Sequence, residues 1–346
     1  MNTPGINIQD ALRLIQAGDK LNAQNSEAVF TQIMRGEATQ AQIGALLMGL
    51  SMRGETPETI AGAARAMRCA ATRIKPEAKG LLDTCGTGGD GASTFNISTT
   101  VALVVAACGV PVAKHGNRAI SSQSGSADVL EALGVRLDIT PTQVARCIDT
   151  VGIGFLFAPG HHPAMKHAAA PRRELGMRSI FNLLGPLTNP ANAEFQVLGV
   201  FAHDKLELVA SALQQLGIHR ALIVHGRDGL DEITTTGITD AILLEKNAPL
   251  SAFEIDPAAF GMPYAETRDL AGGDAQQNAA IIRNILSGEQ GAPRDIVLLN
   301  AAAALWISGS ADGIASGLRM AASAVDSDKA AGILENLIAF TCASEK

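Results

Sequence analysis

A glycine-rich segment follows the first strand-like part of the chain. Residues 83–91 read DTCGTGGDG, directly after two leucines. Because glycine has no Cβ, successive glycines let backbone amides turn toward one anion. Residues 94–100, TFNISTT, then open an apolar-periodic helix, whose free amides and positive dipole end also favour an anion. Together the two segments predict a phosphate site, although the glycines taken alone would also suit a tight structural turn.

The same glycines fit a second pattern. Gly86, Gly88 and Gly91 match GxGxxG, the dinucleotide-binding fingerprint. That fingerprint expects an acidic residue at the end of the next strand, where it binds ribose hydroxyls. Here residues 110–113 run into the basic sequence KHGNR at 114–118, and the GxxxxGK[ST] loop of nucleotide triphosphatases is absent. A ligand with phosphate at both loops is therefore favoured over a dinucleotide.

Residues 114–122, KHGNRAISS, form the second of these loops. Lys114 supplies a point charge, Asn117 supplies a neutral donor, and Gly116 permits a close approach. Loops at the carboxyl ends of parallel strands face one crevice, so both loops are predicted to face a shared polyphosphate site. A lysine at a strand end, considered alone, is more often a solvated charge.

A pair of acids follows a third strand-like segment. Asp231 and Glu232 lie in GRDGLDEI at residues 226–233. Magnesium in proteins binds one or two carboxylates, several waters and the phosphate oxygens of a substrate. A departing diphosphate needs such charge neutralisation, which favours a metal role over the alternative, an acidic surface turn.

Two arginines lie in a helical stretch that interrupts the later strands. A guanidinium of Arg172 or Arg173 could hold a carboxylate through two parallel hydrogen bonds, and a solvated helix face is the alternative. His161, His162 and His167 lack a carboxylate shell in sequence, so we interpret them as loop, helix-start and packing residues. No Ser-His-Asp, Cys-His or GxSxG catalytic arrangement can be identified in the sequence. The chemistry is therefore predicted to rest on positioning and electrostatics.

The elements that must position these residues change character along the chain. Up to about residue 72 the apolar residues recur at helical spacing, whereas beyond residue 80 short apolar runs alternate with helical ones. Ser26 and Thr140 are predicted to cap helix starts with their side chains, and Gly152 suits a helix end. We therefore predict an α/β fold, with a small all-helical domain and a large α/β domain. The central sheet of the large domain is expected to be mostly parallel and flanked by helices.

The composition limits the possible partners. A formal net charge of −7 gives no general attraction to nucleic acid or an anionic membrane, and 3% aromatic residues leave few platforms for stacked bases. The five cysteines are odd in number and show no CxxC spacing, which indicates reduced thiols. The N-terminus lacks the layout of a signal peptide, and the most apolar run is too short to cross a bilayer. We predict a cytoplasmic enzyme that binds neither nucleic acid nor membrane.

Several of these motifs resemble those of one family in their order and spacing. GTGGDG, NIST, KHGNRAISS, GSADVLEALG, NLLGPLTNP and DGLDE are similar to the motifs of the anthranilate phosphoribosyltransferases. AGGDA at 271–275 and LLNAA at 298–302 extend the resemblance over nearly the whole chain. The resemblance implies transfer of phosphoribose from phosphoribosyl pyrophosphate (PRPP) to the amine of anthranilate, with release of diphosphate. This is the second step of tryptophan biosynthesis.

The resemblance also implies roles for individual residues. Lys114, Asn117 and Arg172 would be catalytic. Gly86, Asn117 and Arg172 would contact anthranilate, with Arg172 nearest its carboxylate. The residues implied to contact PRPP are Gly86, Gly89, Asp90, Thr94, Asn96, Ile97, Ser98, Thr99, Lys114, His115, Gly116, Asn117, Arg118, Ala119, Ile120, Ser121, Ser122 and Ser126.

A metal site and two departures complete this comparison. Ser98, Asp231 and Glu232 would serve magnesium, with two ions in each active site. Ile120 and Gln123 differ from the residues that the family usually has there. The missing lysine at position 123 weakens any expectation that this residue grips phosphate.

The resemblance further implies an active site between the two domains and a homodimer formed through the helical parts. The expected domains are residues 1–72, to which 165–190 return, and residues 73–164 together with 191–346. A pyrimidine nucleoside phosphorylase, which shares the fold, is one alternative, but the acids and the Asn117 loop suit diphosphate better than orthophosphate. The other alternative is a non-catalytic relative that binds nucleic acid, against which the negative charge and the scarce aromatic residues argue.

Overall fold

The computed structural model describes residues 6–119 and 123–343. Its centre is a seven-stranded sheet, counted within those residues, with the strand order β3-β2-β1-β4-β5-β6-β7. The strands are β1 (Leu82–Gly86), β2 (Val112–Gly116), β3 (Ile153–Phe157), β4 (Phe195–Gly199), β5 (Arg220–Gly226), β6 (Thr239–Glu245) and β7 (Ser251–Ile255). Strands β1 to β5 are parallel, and β6 and β7 join them antiparallel.

The strand order reverses at β1. The chain runs from β1 outward to β3 and then returns to β4 on the other side of β1. Gly86 and Gly199 are register partners, so β1 and β4 end side by side. Ligands of open α/β sheets bind in the crevice outside the carboxyl ends of the strands at such a reversal.

Helices cover both faces of the sheet and form a separate bundle. The helices are α1 (Ile8–Ala17), α2 (Ala23–Met34), α3 (Gln40–Arg53), α4 (Pro57–Ala70), α5 (Ile97–Ala107), α6 (Ser126–Leu133), α7 (Pro141–Val151), α8 (Ala158–His161), α9 (Lys166–Leu175), α10 (Phe181–Leu184), α11 (Leu206–Leu216), α12 (Ala275–Leu286), α13 (Ala292–Ile307), α14 (Ile314–Asp326) and α15 (Lys329–Ala343). Short 3₁₀ turns lie at Pro163–Met165, Pro186–Thr188, His203–Lys205, Pro257–Phe260 and Thr267–Leu270.

The alternation of side chains along β5 shows how the layers are built. Leu222 and Val224 join a core with α5 and α13, whereas Ala221 and Ile223 join a second core with α11 and the N-terminal helices. Because α11 also packs on α4, the helical bundle attaches to this second face. Helix α9 returns to the bundle and packs on α2 and α3.

The start of α2 differs from the sequence prediction. The helix begins at Ala23, and the side chain of Asn22 caps it. Ser26 lies in the first turn instead, fully buried, and its Oγ donates to the Thr59 carbonyl at 2.6 Å. Gly62 of α4 permits this close helix crossing, because a Cβ there would lie 2.7 Å from that of Ser26.

The predicted fold class is confirmed, as are the cap at Thr140 and the left-handed helix end at Gly152. The strands β6 and β7 were not predicted, and their antiparallel pairing extends the sheet beyond the parallel part. No helix within the described ranges is both long and apolar enough to cross a membrane. The exact domain boundaries given above stay predictions.

Candidate active site

The ends of β1 and β4 accommodate the Asp231 segment. A Cβ on Gly86 would lie 2.7 Å from Cγ of Asp231, and a Cβ on Gly199 would overlap the Asp231 backbone. The absence of a side chain therefore lets Gly86 approach the Asp231 side chain and lets Gly199 approach the Asp231 backbone. The approach buries the Asp231 carboxylate between the two strand ends.

The loop after β1 wraps around this carboxylate. The Gly88 N–H donates to Asp231 Oδ2 at 2.7 Å. Gly88 and Gly89 have φ angles of +66° and +79°, in the left-handed region that favours glycine. The guanidinium of Arg178 donates to the Gly89 carbonyl and lies 4.4 Å from the ring centroid of Phe201. The glycine loop is thus tied to the acid on one side and to an arginine on the other.

Glu232 binds a backbone N–H at the start of α5. Its Oε1 accepts from the Ser98 N–H at 3.2 Å. Asn96 occupies the N-cap position but makes no capping hydrogen bond, and its Oδ1 accepts from Asn278 Nδ2 at 2.9 Å. The Thr99 hydroxyl is buried and has no hydrogen-bond partner within the described ranges. The helix start therefore has a carboxylate on the Ser98 N–H and, at the next residue, a buried hydroxyl without a partner among the described residues.

Lys114 reaches the same place from β2. Its Nζ donates to the Thr84 carbonyl at 2.6 Å and to Ser98 Oγ at 3.3 Å, and the residue is only 3% exposed. Burial lowers the pKa of the Lys114 ammonium, and the carboxylates of Asp83 and Glu232 oppose that shift. A cation shielded from water in this way interacts strongly with phosphate oxygens.

The two acids are crowded by negative charge. Burial is the main cause that raises the pKa of both carboxyls, and repulsion from Asp90 on Asp231 and from Asp231 on Glu232 adds to it. Within the described ranges, no three His, Cys, Asp or Glu side chains form a ready-made metal cluster. The oxygen donors of Asp231, Glu232 and Ser98 suit a hard cation that takes its other ligands from substrate and water.

The loop after β2 is held by side chains of α6. The Asn117 N–H donates to Ser126 Oγ at 3.2 Å, and Gly116 has no room for a Cβ beside that hydroxyl. Arg118 forms an ion pair with Asp128 at 3.0 Å, so its guanidinium already has a partner. Ile120, Ser121 and Ser122, also predicted to contact PRPP, lie outside the described residues.

The remaining predicted PRPP contacts lie around this loop and the start of α5. Ala119 donates its N–H to an Asp128 oxygen at 2.9 Å, and Ile97 is buried as the first residue of α5. Thr94 forms an isolated bridge with Ala271, which brings the AGGDA motif against the glycine loop. Asp90 Oδ1 accepts from the N–H two residues later at 3.3 Å.

Arg172 lies on α9, apart from the strand ends. Its guanidinium lies 5.1 Å from the ring centroid of Phe181, and burial lowers its pKa. In the part of the chain that the structure describes, no hydrogen bond or ion pair joins Arg172 to a carboxylate. Arginine stays charged in proteins, so a guanidinium without a carboxylate partner is available to an anionic ligand.

Two buried histidines form a pair beside Lys114. The rings of His115 and His162 have centroids 5.1 Å apart, and neither Nε2 has a partner among the described residues. Burial lowers the pKa of His115 to about 3 and that of His162 to about 4, with repulsion from His162 and His161 respectively as the next cause. Both imidazoles are therefore neutral at pH 7. His161 Nδ1 lies 2.8 Å from the Thr72 carbonyl, and His167 packs against Gly36.

Some positioning residues were not identified from sequence. Asn300 on α13 accepts from the Ile233 N–H at 3.0 Å and donates to the Ile233 carbonyl at 2.7 Å, which fixes the backbone beside Glu232. Asn278 accepts from the Gly273 N–H at 2.7 Å. These contacts account for the motifs LLNAA and AGGDA. A lone asparagine in an otherwise apolar helix was the available signal at Asn300.

The structure thus brings Gly86, Ser98, Lys114, Asp231 and Glu232 together by direct contacts. In the described ranges, no hydrogen bond or ion pair connects Arg172 to this cluster. A buried lysine ammonium, two adjacent carboxyls and a glycine loop at one crevice can bind a polyphosphate with a divalent metal.

Comparison with known proteins gives two family matches. Residues 9–71 match the helical bundle domain of a glycosyl transferase family, and residues 78–331 match the a/b domain of a glycosyl transferase family.

Individual relatives match over almost the full length. An anthranilate phosphoribosyltransferase of Acetivibrio thermocellus is 51% identical over 96% of this chain and 96% of its own. The crystal structure of the anthranilate phosphoribosyltransferase from Thermus thermophilus is 44% identical, with a TM-score of 0.92 over 96% of this chain and 99% of that chain. The Saccharomyces cerevisiae enzyme, in complex with PRPP and Mg, is 26% identical, with a TM-score of 0.89 over 97% and 98% of the two chains.

Proposed function

This chain belongs to the anthranilate phosphoribosyltransferase family, and we propose that it catalyses the family's reaction at the crevice formed by β1, β2 and β4. The reaction transfers phosphoribose from PRPP to the amine of anthranilate and gives N-(5-phosphoribosyl)anthranilate and diphosphate. It is the second step of tryptophan biosynthesis. The observation that carries the assignment to this crevice is the contact of Lys114 with Ser98, whose N–H is bound by Glu232.

The diphosphate of PRPP fits the groups around the glycine loop. The left-handed Gly88 and Gly89 open the loop backbone, and the unpartnered hydroxyl of Thr99 lies at the start of α5. Lys114 adds a buried positive charge. These groups support PRPP contacts at Gly86, Gly89, Asp90, Thr94, Asn96, Ile97, Ser98 and Thr99, and along residues 114–119 and Ser126.

Magnesium fits the oxygen donors of Ser98, Asp231 and Glu232, and we propose that these residues hold it, with two ions in each site. The raised pKa of each carboxyl reflects burial and repulsion, from Asp90 on Asp231 and from Asp231 on Glu232, which a divalent cation would relieve. When bound, the metal neutralises the negative charge of the departing diphosphate. Lys114 contributes to the same neutralisation from the protein side.

We propose that anthranilate binds through Arg172. Arg172 has no carboxylate partner in the described ranges, so its guanidinium can receive the anthranilate carboxylate through two hydrogen bonds. Gly86 and Asn117 would border the ring and amine.

The chemistry then rests on position and charge. As the C1–O bond of PRPP loosens, the ribose acquires oxocarbenium character and diphosphate acquires charge. The amine of anthranilate is neutral at pH 7, so its lone pair attacks C1 without prior removal of a proton, and the nitrogen releases one proton to water or diphosphate after the C1–N bond has formed. Lys114, Asn117 and Arg172 accelerate this step by holding the two substrates in line and stabilising the charge that develops.

Two further proposals concern the whole molecule. We propose that the enzyme is cytoplasmic and that it forms a homodimer through the helical bundle. Met48 and Met52 support the dimer, because they are 44% and 78% exposed and lie four residues apart on one face of α3.

A fluorescence assay tests the function. Purified protein with PRPP and Mg²⁺ should consume fluorescent anthranilate, and chelation of the metal with EDTA should abolish turnover. Phosphorolysis of thymidine and uridine is measured beside it. Activity on the nucleosides alone would assign the crevice to orthophosphate and overturn the proposal. Salt-sensitive binding of single-stranded DNA with no transferase activity would do the same.

A further inference from the structure

The sheet is split between β1 and β2. These two strands share one register pair, Leu82 with Val112, whereas β1–β4 and β2–β3 share five pairs each. Backbone groups of neighbouring parallel strands normally satisfy one another along the whole ladder. Beyond this single pair, the backbone N–H and C=O groups with which β1 and β2 face each other need other hydrogen-bond partners.

Asp83 supplies one of these partners from β1. Its carboxylate is fully buried, and Oδ1 accepts from the His115 N–H of β2 at 3.2 Å. Its Oδ2 accepts from Asn189 Nδ2 at 2.8 Å. The side chain therefore replaces a ladder bond on one edge of the split and contacts a segment outside the sheet on the other.

Asn189 supplies the second partner. The same Nδ2 donates to the Ala113 carbonyl of β2 at 2.8 Å, and Oδ1 accepts from the Ala191 N–H at 2.9 Å. Every heavy polar atom of this amide is thus used, and its orientation is fixed. Asn189 belongs to the NLLGPLTNP motif, to which no role has been assigned above.

Lys114 crosses the split in the opposite direction. Its Nζ donates to the Thr84 carbonyl of β1 at 2.6 Å, which leaves it beside Ser98. Side-chain hydrogen bonds therefore join residues 114 and 115 of β2 to β1, and residue 113 to Asn189, which itself binds Asp83 of β1. A plain ladder would satisfy backbone groups without burying the Asp83 charge, so this arrangement is costly unless it serves the site.

We propose that Asp83 and Asn189 are positioning residues that fix the end of β2, and hence the Lys114 amine, at the diphosphate of PRPP. The inference rests on the proposed function, since it assumes that Lys114 faces PRPP. Neither residue touches substrate. They act by setting the width of the split, through the bonds to the His115 N–H and the Ala113 carbonyl on either side of Lys114.

The donor and acceptor pattern gives a sharp test. Asp83→Asn has one oxygen for two donors, so its amide would meet either the His115 N–H or the Asn189 amide with the wrong polarity. The double variant Asp83→Asn/Asn189→Asp restores the contact between the two side chains and leaves only the Ala113 carbonyl without its donor. We expect kcat/KM for PRPP to fall at least tenfold in Asp83→Asn and to recover in part in the double variant. The KM for anthranilate should change less than threefold.

A second readout and a control separate positioning from general stability. The rise in Tm that PRPP and Mg²⁺ produce should be largely lost in Asp83→Asn. Ser26→Ala is the matched control, because it also removes a buried hydrogen bond, the one to the Thr59 carbonyl, but in the helical bundle. We expect Ser26→Ala to lower Tm and to leave both the kinetics and the PRPP-induced shift unchanged.

The outcomes distinguish the two levels of the proposal. A wild type without phosphoribosyl transfer to anthranilate would contradict the proposed function itself. An active wild type whose Asp83→Asn variant lowers Tm but keeps the kcat/KM for PRPP, as Ser26→Ala should, would overturn only the positioning role. If Asp83→Asn does not fold, Asn189→Ser decides by the same comparison, because serine keeps a donor but is too short to span the split.

Discussion

The carboxylate of Asp231 occupies the space that a side chain on Gly86 would need, with Cγ 2.7 Å from the Cβ position. These residues are far apart in the chain, and the register pair of Gly86 with Gly199 brings them together. The glycine loop and the proposed metal site are therefore one structural unit, because the Gly88 N–H binds the same carboxylate.

Replacing Gly86 with alanine should separate the glycine loop from the proposed metal site at Asp231. The new methyl group would push Asp231 away, at a cost of about 1–3 kcal/mol in the free energy of unfolding. We expect kcat/KM for PRPP to fall by at least about tenfold, as measured by anthranilate fluorescence. Gly332→Ala in α15 is the control, since no heavy atom lies within 4 Å of its Cβ position. Wild-type kinetics in Gly86→Ala would contradict the close packing.

The crowded acids should destabilise the metal-free protein. A carboxyl whose pKa is raised on folding binds more protons when folded, so stability falls as pH rises through the interval between its ordinary and raised values. Asp231→Asn/Glu232→Gln removes this effect and keeps the acceptors for Gly88 and Ser98. At pH 8 with EDTA we expect the variant to be more stable than the wild type by about 1–2 kcal/mol in urea unfolding.

The same pair of proteins reports on magnesium. Added Mg²⁺ should raise the Tm of the wild type, more at pH 8 than at pH 6, because the metal competes with protons for the carboxylates. The double variant should show no such rise and no transferase activity. A variant less stable than the wild type at pH 8 without metal would argue against repulsion between the acids.

Arg172 should govern binding of the acceptor. Arg172→Lys keeps the charge but loses the planar pair of donors, so KM for anthranilate should rise about 10-fold or more, with KM for PRPP little changed. The neighbouring Arg173 is exposed and provides the matched control, Arg173→Lys. Equal effects of the two substitutions would refute the assignment of the carboxylate to Arg172.

Buried histidines should make stability depend on pH on the acid side. His115 and His162 have lowered pKa values of about 3 and about 4, so the unfolded chain binds more protons between those values and about 6.5. Their contribution is complete above about pH 6.5 and is lost as the pH falls toward 4, by on the order of 2 kcal/mol. His162→Gln should flatten this slope in urea unfolding, whereas His219→Gln, at an exposed position, should not.

The methionines of α3 should hold the dimer together. Met48→Asp/Met52→Asp places charge on the exposed apolar face, so light scattering should find a monomer at concentrations where the wild type is a dimer. Tyr264→Asp, which changes another exposed large hydrophobic residue, should leave the mass unchanged. A monomeric wild type would contradict the proposed homodimer.

Local patterns in the sequence were sufficient for much of the fold. Thr140 followed by proline and glutamine specifies a capped helix start, and Gly152 specifies its end, because both depend on neighbours within four residues. The prediction at Ser26 was wrong because Asn22 caps the helix, and a contact with Thr59, 33 residues away, accounts for the serine. The strands β6 and β7 were missed, since their pairing depends on β5 as a template.

The candidate site divides in the same way. The order of the residues alone determined the glycine loop after β1, the basic loop after β2 and the acidic pair after β5, because a loop's chemistry is written in consecutive residues. Only the tertiary structure decided that Asp231 enters between Gly86 and Gly199, and that Asp83 and Asn189 bridge β1 and β2. The physical reason is that these contacts join segments that are distant in the chain. They exist only because the strand order inserts β4 beside β1 and leaves β1 and β2 split.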